Sequence, residues 1–301
     1  MSLELKNIDE VRQAIAVLVT NNMDALDRLV WTGVFGTGEV RDAARQGVFD
    51  HCKSVGIYPA SIHNLYMARG RGEVPTTFTV PAINIRGITY DTARALFRAR
   101  KSLDAGAVLI EIARSEISYT DQRPLEYTFV LLSAALREGW RGPVFIQGDH
   151  FQINAKRYAA DPKAEMQTVL DLSAEAIKAG FYNIDVDTST LVDLDKPTHT
   201  EQQQLNGTLC AEITAFIRKA EPAGVVDPLQ WWGSLTQQFQ QIAASAMKDA
   251  AKQTAMDTTK HMATGLAKDA LKTAGAAVRA PARKAAAKKA ARKAPARRTG
   301  G

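Results

Sequence analysis

The residues of this 301-residue chain best suited to chemistry lie between positions 142 and 151. There Asp149 and His150 are adjacent and follow the apolar run 143–147, which is typical of a buried strand. A neutral imidazole can bind a divalent metal ion, and a neighbouring carboxylate can exchange a proton with a substrate. An Asp-His pair in a turn is more often a capping and hydrogen-bonding arrangement, so the pair alone leaves both interpretations open.

From residue 78 onward, short β-rich runs alternate with longer amphipathic segments. The runs predict strands at 78–85, 107–112, 143–147 and 182–187. The segments after them predict helices at 90–105, 125–138, 164–179 and 200–220, with helix stops at Gly106, Gly139 and Gly180. Because strands and helices alternate, we expect parallel strands and an α/β fold. Upstream, 8–30 and 40–55 each predict a helix.

The chain encodes about four strand-helix units, whereas a closed TIM barrel has eight units in roughly 250 residues, with its active site at the carboxyl ends of the strands. After Asp227 the strand pattern ends, and Trp232 and Phe239 lie on one helical stripe. We therefore predict a helical entry segment at 1–75, the N-terminal half of a TIM (β/α)8 barrel at 76–222, a junction at 223–228, an amphipathic helical region at 229–277 and a disordered Lys/Arg/Ala/Pro-rich tail at 278–301.

Three motifs, each at the end of a predicted strand, carry a family resemblance. They are VPAINIR at 80–86, FIQGDH at 145–150 and AGFYNIDVDTS at 179–189. In this order they resemble the class II ketose-bisphosphate aldolases over about residues 58–221. The resemblance implies a Zn²⁺-dependent lyase that cleaves fructose or tagatose bisphosphate to triose phosphates, in which the metal polarises the ketone oxygen and stabilises the enediolate.

The resemblance also implies roles for four residues. His150 matches a metal ligand, and Asp149 matches the acid that exchanges a proton with the aldehyde-side hydroxyl. Asn84 and Asp187, at the ends of the first and fourth predicted strands, match a substrate contact and a carboxylate that supports metal or substrate. The residues alone leave a turn role for Asn84 and a helix N-cap for Asp187 open. Gln147 stands where the family usually has a histidine, which leaves the sugar unassigned.

The family's remaining metal histidines come from the second half of the barrel, which this sequence does not contain. The other histidines follow no predicted strand end and are interpreted as surface or packing residues; they are His51, His63, His199 and His261. One imidazole and one or two carboxylates do not make the closed three-ligand set that a catalytic zinc site requires. We therefore expect impaired cleavage by this chain alone. The outer edges of the half-barrel predict pairing with a second copy or another chain.

The C-terminal part of the chain is basic, whereas the rest is slightly acidic. Residues 223–301 contain 14 Lys and Arg against 4 Asp and Glu, and residues 1–222 contain 24 against 28. A flexible polycation of this kind predicts sequence-independent binding to DNA phosphates, a solubilising tail being the alternative. The predicted contacts are Arg283, Lys284, Lys288, Lys289, Arg292, Lys293, Arg297 and Arg298.

Residues 227–298 also resemble the C-terminal part of the polyhydroxyalkanoate granule-associated proteins that activate the polymer synthase. The resemblance rests on DPLQWWG at 227–233 and on the lysine, alanine and proline repeats near the end of the chain. It implies a second class of function, a non-catalytic adaptor that binds a granule or synthase through its helix and DNA through its tail. Packing of the tryptophan pair against the rest of the chain is the alternative.

Cysteine usage and hydropathy lead to expectations about the compartment. Cys52 and Cys210 lie far apart in sequence, so neither a disulfide framework nor a thiolate metal site is indicated. The sequence contains no apolar run of about 18 residues and no apolar signal-peptide core. We expect a cytoplasmic protein without a transmembrane segment.

Overall fold

The computed structural model describes residues 3–221. The junction predicted at 223–228, the amphipathic region at 229–277 and the basic tail at 278–301, with all its predicted DNA contacts, lie outside the described residues. Within 3–221 the protein has one parallel sheet of five strands and ten α-helices, which confirms the prediction of an α/β fold with parallel strands. No helix of this part is both long and apolar enough to cross a bilayer.

The entry segment contains three helices, α1 (Ile8–Leu18), α2 (Met23–Phe35) and α3 (Gly38–Ser54). The single helix predicted over 8–30 is therefore wrong. The helix breaks because Asn21 adopts a left-handed conformation with a φ of 62°. The next residue, Asn22, then begins α2 as its N-cap, and its side chain accepts a hydrogen bond from the Ala25 N–H.

The strands of the sheet alternate with helices along the rest of the described chain. In order these elements are β1 (Ile57–Ala60), α4 (His63–Gly70), β2 (Ala82–Asn84), α5 (Thr89–Ser102), β3 (Leu109–Ala113), α6 (Arg114–Thr120), α7 (Pro124–Arg137), β4 (Gly142–Gln152), α8 (Ala155–Ala160), α9 (Pro162–Ala179), β5 (Asn183–Asp187), a 3-10 turn (Ser189–Leu191) and α10 (His199–Ala220). All four predicted strands are present, β2 shorter than predicted and β4 longer. The prediction lacks β1, α4, α6 and α8.

All strand pairs are parallel, and β2, β3, β4 and β5 are neighbours in chain order. The additional strand β1 pairs with the first residues of β4. Phe145 of β4 pairs with both β1 and β3, and Gln147 pairs with both β3 and β5. Strands β1 and β5 therefore lie one after the other along the same side of β4.

Asn183 occupies the place where β1 ends and β5 begins. Its Nδ2 donates to the carbonyl oxygens of Ala60 and Ile146 at 3.2 and 3.0 Å, and its Oδ1 accepts from the Ile62 N–H at 2.9 Å. Backbone groups at a strand end need such partners when they are shielded from water. The Asn183 side chain thereby joins the end of β1 to β4 and β5.

One face of the sheet is apolar and packs against helices. Alternate residues of β3 and β4 are buried there in one core, together with α7; among them are Ile110, Ile112, Ile146 and Phe151. Helix α7 is apolar around most of its circumference and is buried along most of its length. Its Tyr127 hydroxyl lies 2.9 and 2.8 Å from the carbonyl oxygens of Ile85 and Glu111, which ties the ends of β2 and β3 together.

Candidate functional site

Four polar side chains in register form a row across β2, β3, β4 and β5, on the face of the sheet opposite the apolar core. Asn84 of β2 pairs in register with Glu111 of β3, Glu111 pairs with Gln147 of β4, and Gln147 pairs with Asn183 of β5. Because side chains alternate between the two faces of a strand, these four residues lie on the face opposite the apolar core. The Gln147 Nε2 donates to Glu111 Oε2 at 2.9 Å.

Asp149 and His150 lie within β4, at a β-bulge. Between Gly148 and Phe151 the register shifts, and three steps along β4 oppose two steps along β5. His150 adopts a left-handed conformation with a φ of 45°, which residues with a Cβ rarely do. The prediction that this strand ends at residue 147 is therefore wrong, because the bulge interrupts the period-two pattern without ending the strand.

The bulge brings Asp149 and His150 close to Asp185 of β5. One candidate ligand atom from each of these side chains lies within 4.8 Å of the other two. His150 Nδ1 is 2.8 Å from Asp149 Oδ1, and the imidazole side chain is 60% exposed. An imidazole and two carboxylates form a donor set that suits Zn²⁺ and comparable divalent ions. Asp185 supplies the third ligand group that the sequence analysis did not assign.

Negative charge concentrates around this cluster and changes the proton affinity of two groups. The pKa of His150 is raised, mainly by its hydrogen bond with Asp149, and burial opposes this effect only in part. The Asp185 and Asp187 carboxylates raise the His150 pKa further. The pKa of Glu111 is raised by burial first and by the Asp149 carboxylate second. The face of the sheet therefore favours a bound cation.

Asp187 lies on the same face but outside the three-residue cluster. Its Oδ1 accepts hydrogen bonds from the Ser189 N–H at 3.0 Å and the Ser189 hydroxyl at 2.6 Å, and its Oδ2 accepts one from Gln152 Nε2 at 2.5 Å. Burial raises the pKa of Asp187, but these hydrogen bonds outweigh burial and lower the pKa overall. The carboxylate thus stabilises the turn that follows β5. This role resembles the helix N-cap that the sequence left open for Asp187.

Asn84 lies at the end of β2, and only one of its two polar side-chain atoms is bound. Its Nδ2 donates to Glu116 Oε2 at 2.6 Å, and the other Glu116 oxygen lies 2.8 Å from Arg86 Nη1. The Asn84 Oδ1 is buried and has no hydrogen-bond partner in the described part of the chain. A buried acceptor of this kind is a feature that a ligand hydroxyl can satisfy.

A cavity of about 510 Å³ opens beside His150, between α6, α9 and the end of β4. Its polar lining includes the guanidinium groups of Arg114, Arg123 and Arg157 and the carboxylates of Asp171 and Glu175. Two of these arginines already pair with carboxylates, Arg123 with Glu175 and Arg114 with Glu165. Guanidinium groups recognise phosphate and carboxylate geometry, so the cavity suits a ligand with an anionic end.

The sequence analysis assigned no role to Asp185 or Glu111. Asp185 lies in a strand with strict alternation of polar and apolar residues, at 183–187, whereas Glu111 is the single polar residue of the strand at 109–113. Such alternation indicates a half-buried strand with one polar face. The pattern is therefore the signal that could have placed Asp185 on the face that carries Asp149.

Comparison of the chain with protein-family models, with curated proteins and with solved structures found no match. The aldolase and granule-protein resemblances therefore remain predictions from sequence motifs.

Proposed function

We propose that the protein is a metal-dependent lyase of the class II ketose-bisphosphate aldolase type, acting on fructose or tagatose bisphosphate. The observation that carries this proposal is the convergence of Asp149 and His150, in the carboxyl-terminal half of β4, with Asp185 at the middle of β5. Active sites of parallel barrels lie at this end of the strands. The chain order of β2 to β5 supports the proposal that 76–222 is the N-terminal half of a TIM barrel.

In this proposal each residue of the site has a distinct role. His150 and Asp185 hold the metal ion, and a bound Zn²⁺ ion supplies Lewis acidity toward a ketone oxygen. Asp149 orients the imidazole through their hydrogen bond and exchanges a proton with the hydroxyl oxygen on the aldehyde side of the substrate. The unpaired Oδ1 of Asn84 accepts a hydrogen bond from a substrate hydroxyl.

The arginine-lined cavity supports an anionic substrate. It borders His150, so a phosphate group bound there would leave the sugar carbons next to the metal ligands. Arg157 is exposed at the cavity rim and is available to such a group. The Asp187 carboxylate, at the end of β5, stabilises the turn next to the site and supports it indirectly.

We expect a single chain to cleave the bisphosphate only slowly. The site offers one imidazole, and the aldolases that the chain resembles use histidines from a second barrel half. In the described sheet the outer edges of β2 and β5 pair with no other strand, and such edges readily pair with another chain. A homo-oligomer or a second protein is therefore the proposed means of completing the barrel, in the cytoplasm.

A cleavage assay with two site variants and one control variant tests the proposal. Purified full-length protein should contain zinc and release triose phosphate from fructose or tagatose bisphosphate, and both properties should be lost in Asp149→Asn and His150→Ala. His199→Ala, on α10, is the control and should keep both properties. A wild-type protein with neither zinc nor turnover would contradict the proposal.

A second candidate function is a non-catalytic adaptor that binds DNA and a polyhydroxyalkanoate granule or its synthase. The distribution of charge favours it, because residues 279–298 contain nine basic side chains and no acidic one. Binding of phosphates by such a segment needs charge rather than a fixed geometry. Retention of DNA binding together with absent turnover would favour this candidate over the lyase.

A further inference from the structure

We propose that Arg114 and Glu165 are positioning residues that hold the β4 bulge, and with it His150, in the conformation that binds the metal ion. The inference rests on the metal site of the proposed function. Neither residue belongs to the three motifs that carry the aldolase resemblance. The proposed role of both is through the backbone of β4, although Arg114 also lines the cavity beside His150.

The two side chains form a buried ion pair. Arg114 Nη1 lies 2.6 Å from Glu165 Oε1, and the side chains are 13% and 2% exposed. Burial raises the pKa of Glu165, but the hydrogen bonds from Arg114 and from the Asn154 N–H outweigh burial and lower the pKa overall. Glu165 therefore stays ionised beside the guanidinium group at neutral pH.

Each partner of the ion pair also binds the backbone just after the bulge. Arg114 Nη1 donates to the Gln152 carbonyl oxygen, and Glu165 Oε1 accepts from the Asn154 N–H at 2.8 Å. The pair therefore binds the backbone at Gln152, the last residue of β4, and at Asn154, just after the strand. Because Arg114 begins α6 and Glu165 lies in α9, these contacts tie the strand end to two helices.

The same segment of β4 is also bound from β5 and the turn that follows it. The Ile153 N–H donates to the Asp187 carbonyl oxygen at 2.9 Å, and the Thr190 hydroxyl donates to the Ile153 carbonyl oxygen at 2.6 Å. Before the bulge, Gln147 and Gly148 pair with both β3 and β5. Both sides of the bulge are thus held in place, and the residues between them must accommodate the extra length.

This arrangement explains how His150 keeps an unfavourable backbone conformation. A left-handed residue with a Cβ persists only where surrounding contacts enforce it. If residues 152–154 were released from α6 and α9, β4 could shift to regular pairing with β5. A one-residue shift in a strand turns every side chain to the opposite face, so His150 would move away from Asp185.

Glu165→Gln and Arg114→Lys in the full-length protein test the proposal, because the first removes the charge at constant side-chain length and the second keeps the charge but removes the guanidinium group. The control is Glu126→Gln, which weakens a partly buried ion pair away from the bulge, Arg45–Glu126 at 2.7 Å, between α3 and α7. Two quantities are measured, the affinity for Co²⁺ from its visible absorption spectrum and the NMR chemical shifts of His150 in the metal-free protein.

Both variants at the bulge should weaken Co²⁺ binding on the order of 10-fold or more, as loss of a supporting contact to a metal ligand does. They should also alter the Co²⁺ absorption bands and the His150 shifts. Glu126→Gln should lower the melting temperature while the Co²⁺ affinity and the His150 shifts stay unchanged. Unchanged affinity and shifts in both bulge variants would overturn the proposal. A wild-type protein that binds no Co²⁺ would overturn the metal site, and the His150 shifts of the metal-free variants would still decide the positioning role.

Discussion

At the scale of single residues, the candidate site depends on three side chains that are not adjacent in sequence. Asp149 and His150 are neighbours, but Asp185 joins them only because β5 pairs with β4 beside the bulge. The hydrogen bond between Asp149 and His150 is the main cause of the raised pKa of the imidazole. This effect can be measured directly.

Asp149→Asn should lower the pKa of His150, because the neutral amide no longer stabilises the protonated imidazole. Since the folded-state pKa exceeds the ordinary value of 6.5, protonation of His150 contributes stability below that value. This contribution is lost as the pH rises through the folded-state pKa. A titration of the imidazole signals by NMR measures the pKa, and Asp193→Asn, in an exposed pair with Lys196, is the control. Equal His150 pKa values in wild type and Asp149→Asn would contradict the role of this hydrogen bond.

At the scale of elements, the bulge in β4 determines where the candidate ligands lie. Gly148 precedes it, and a Cβ at this position would lie 2.5 Å from Phe151 Cε1. Glycine within a strand often marks a bulge or a close approach of another group. The absence of a side chain at Gly148 therefore lets Phe151 pack into the core directly beside the bulge.

Gly148→Ala should destabilise the protein by about 1–3 kcal/mol, because the added methyl group overpacks the core against the Phe151 ring. It should also weaken metal binding. Gly207→Ala, on α10, is the matched control: a Cβ there meets nothing within 4 Å, and alanine in a helix should stabilise by roughly 0.5–1 kcal/mol. Urea denaturation measures the free energy of unfolding of both variants. A Gly148→Ala protein as stable as wild type would contradict the packing around the bulge.

The same elements show what a sequence can predict. Helices such as α9 and strands such as β5 agree with the prediction within about two residues, because their patterns are local. The four residues of β1 depend on pairing with Gly142–Phe145, far along the chain, and the bulge depends on β5. Propensity and periodicity carry no information on such pairing. Alternation could have placed Asp185 on the polar face of β5, but its position beside Asp149 and His150 depends on the register of two strands.

At the scale of the whole molecule, the chain combines an acidic α/β part with a basic C-terminal segment. The α/β part has two features that bear on its function. In the described sheet the outer edges of β2 and β5 are unpaired, and carboxylates concentrate on one face. The charge of the second part leads to an independent prediction, because it requires no folded geometry. The two proposed functions can therefore be separated by experiments on different segments.

Full-length protein should bind double-stranded DNA without sequence preference, with affinity that falls steeply as salt increases. If all nine basic residues of 279–298 contact phosphates, the logarithm of the affinity should fall with the logarithm of salt concentration with a slope of up to about 8. Deleting 279–301 should abolish the mobility shift. A variant with glutamine at the basic positions of 279–298 keeps the length of the tail and removes its charge. Undiminished DNA binding by that variant would contradict the account.

Metal binding to the purified full-length protein, measured by calorimetric titration with Zn²⁺ before and after Asp185→Asn, tests the central claim most directly. The account predicts that the wild-type protein binds zinc through His150 and Asp185, with Asp149 orienting the imidazole, and that Asp185→Asn weakens binding on the order of 10-fold or more. Asp195→Asn, in the loop before α10, should leave the affinity unchanged. Absence of zinc binding, or equal affinity in wild type and Asp185→Asn, would contradict the claim that these three side chains form a metal site.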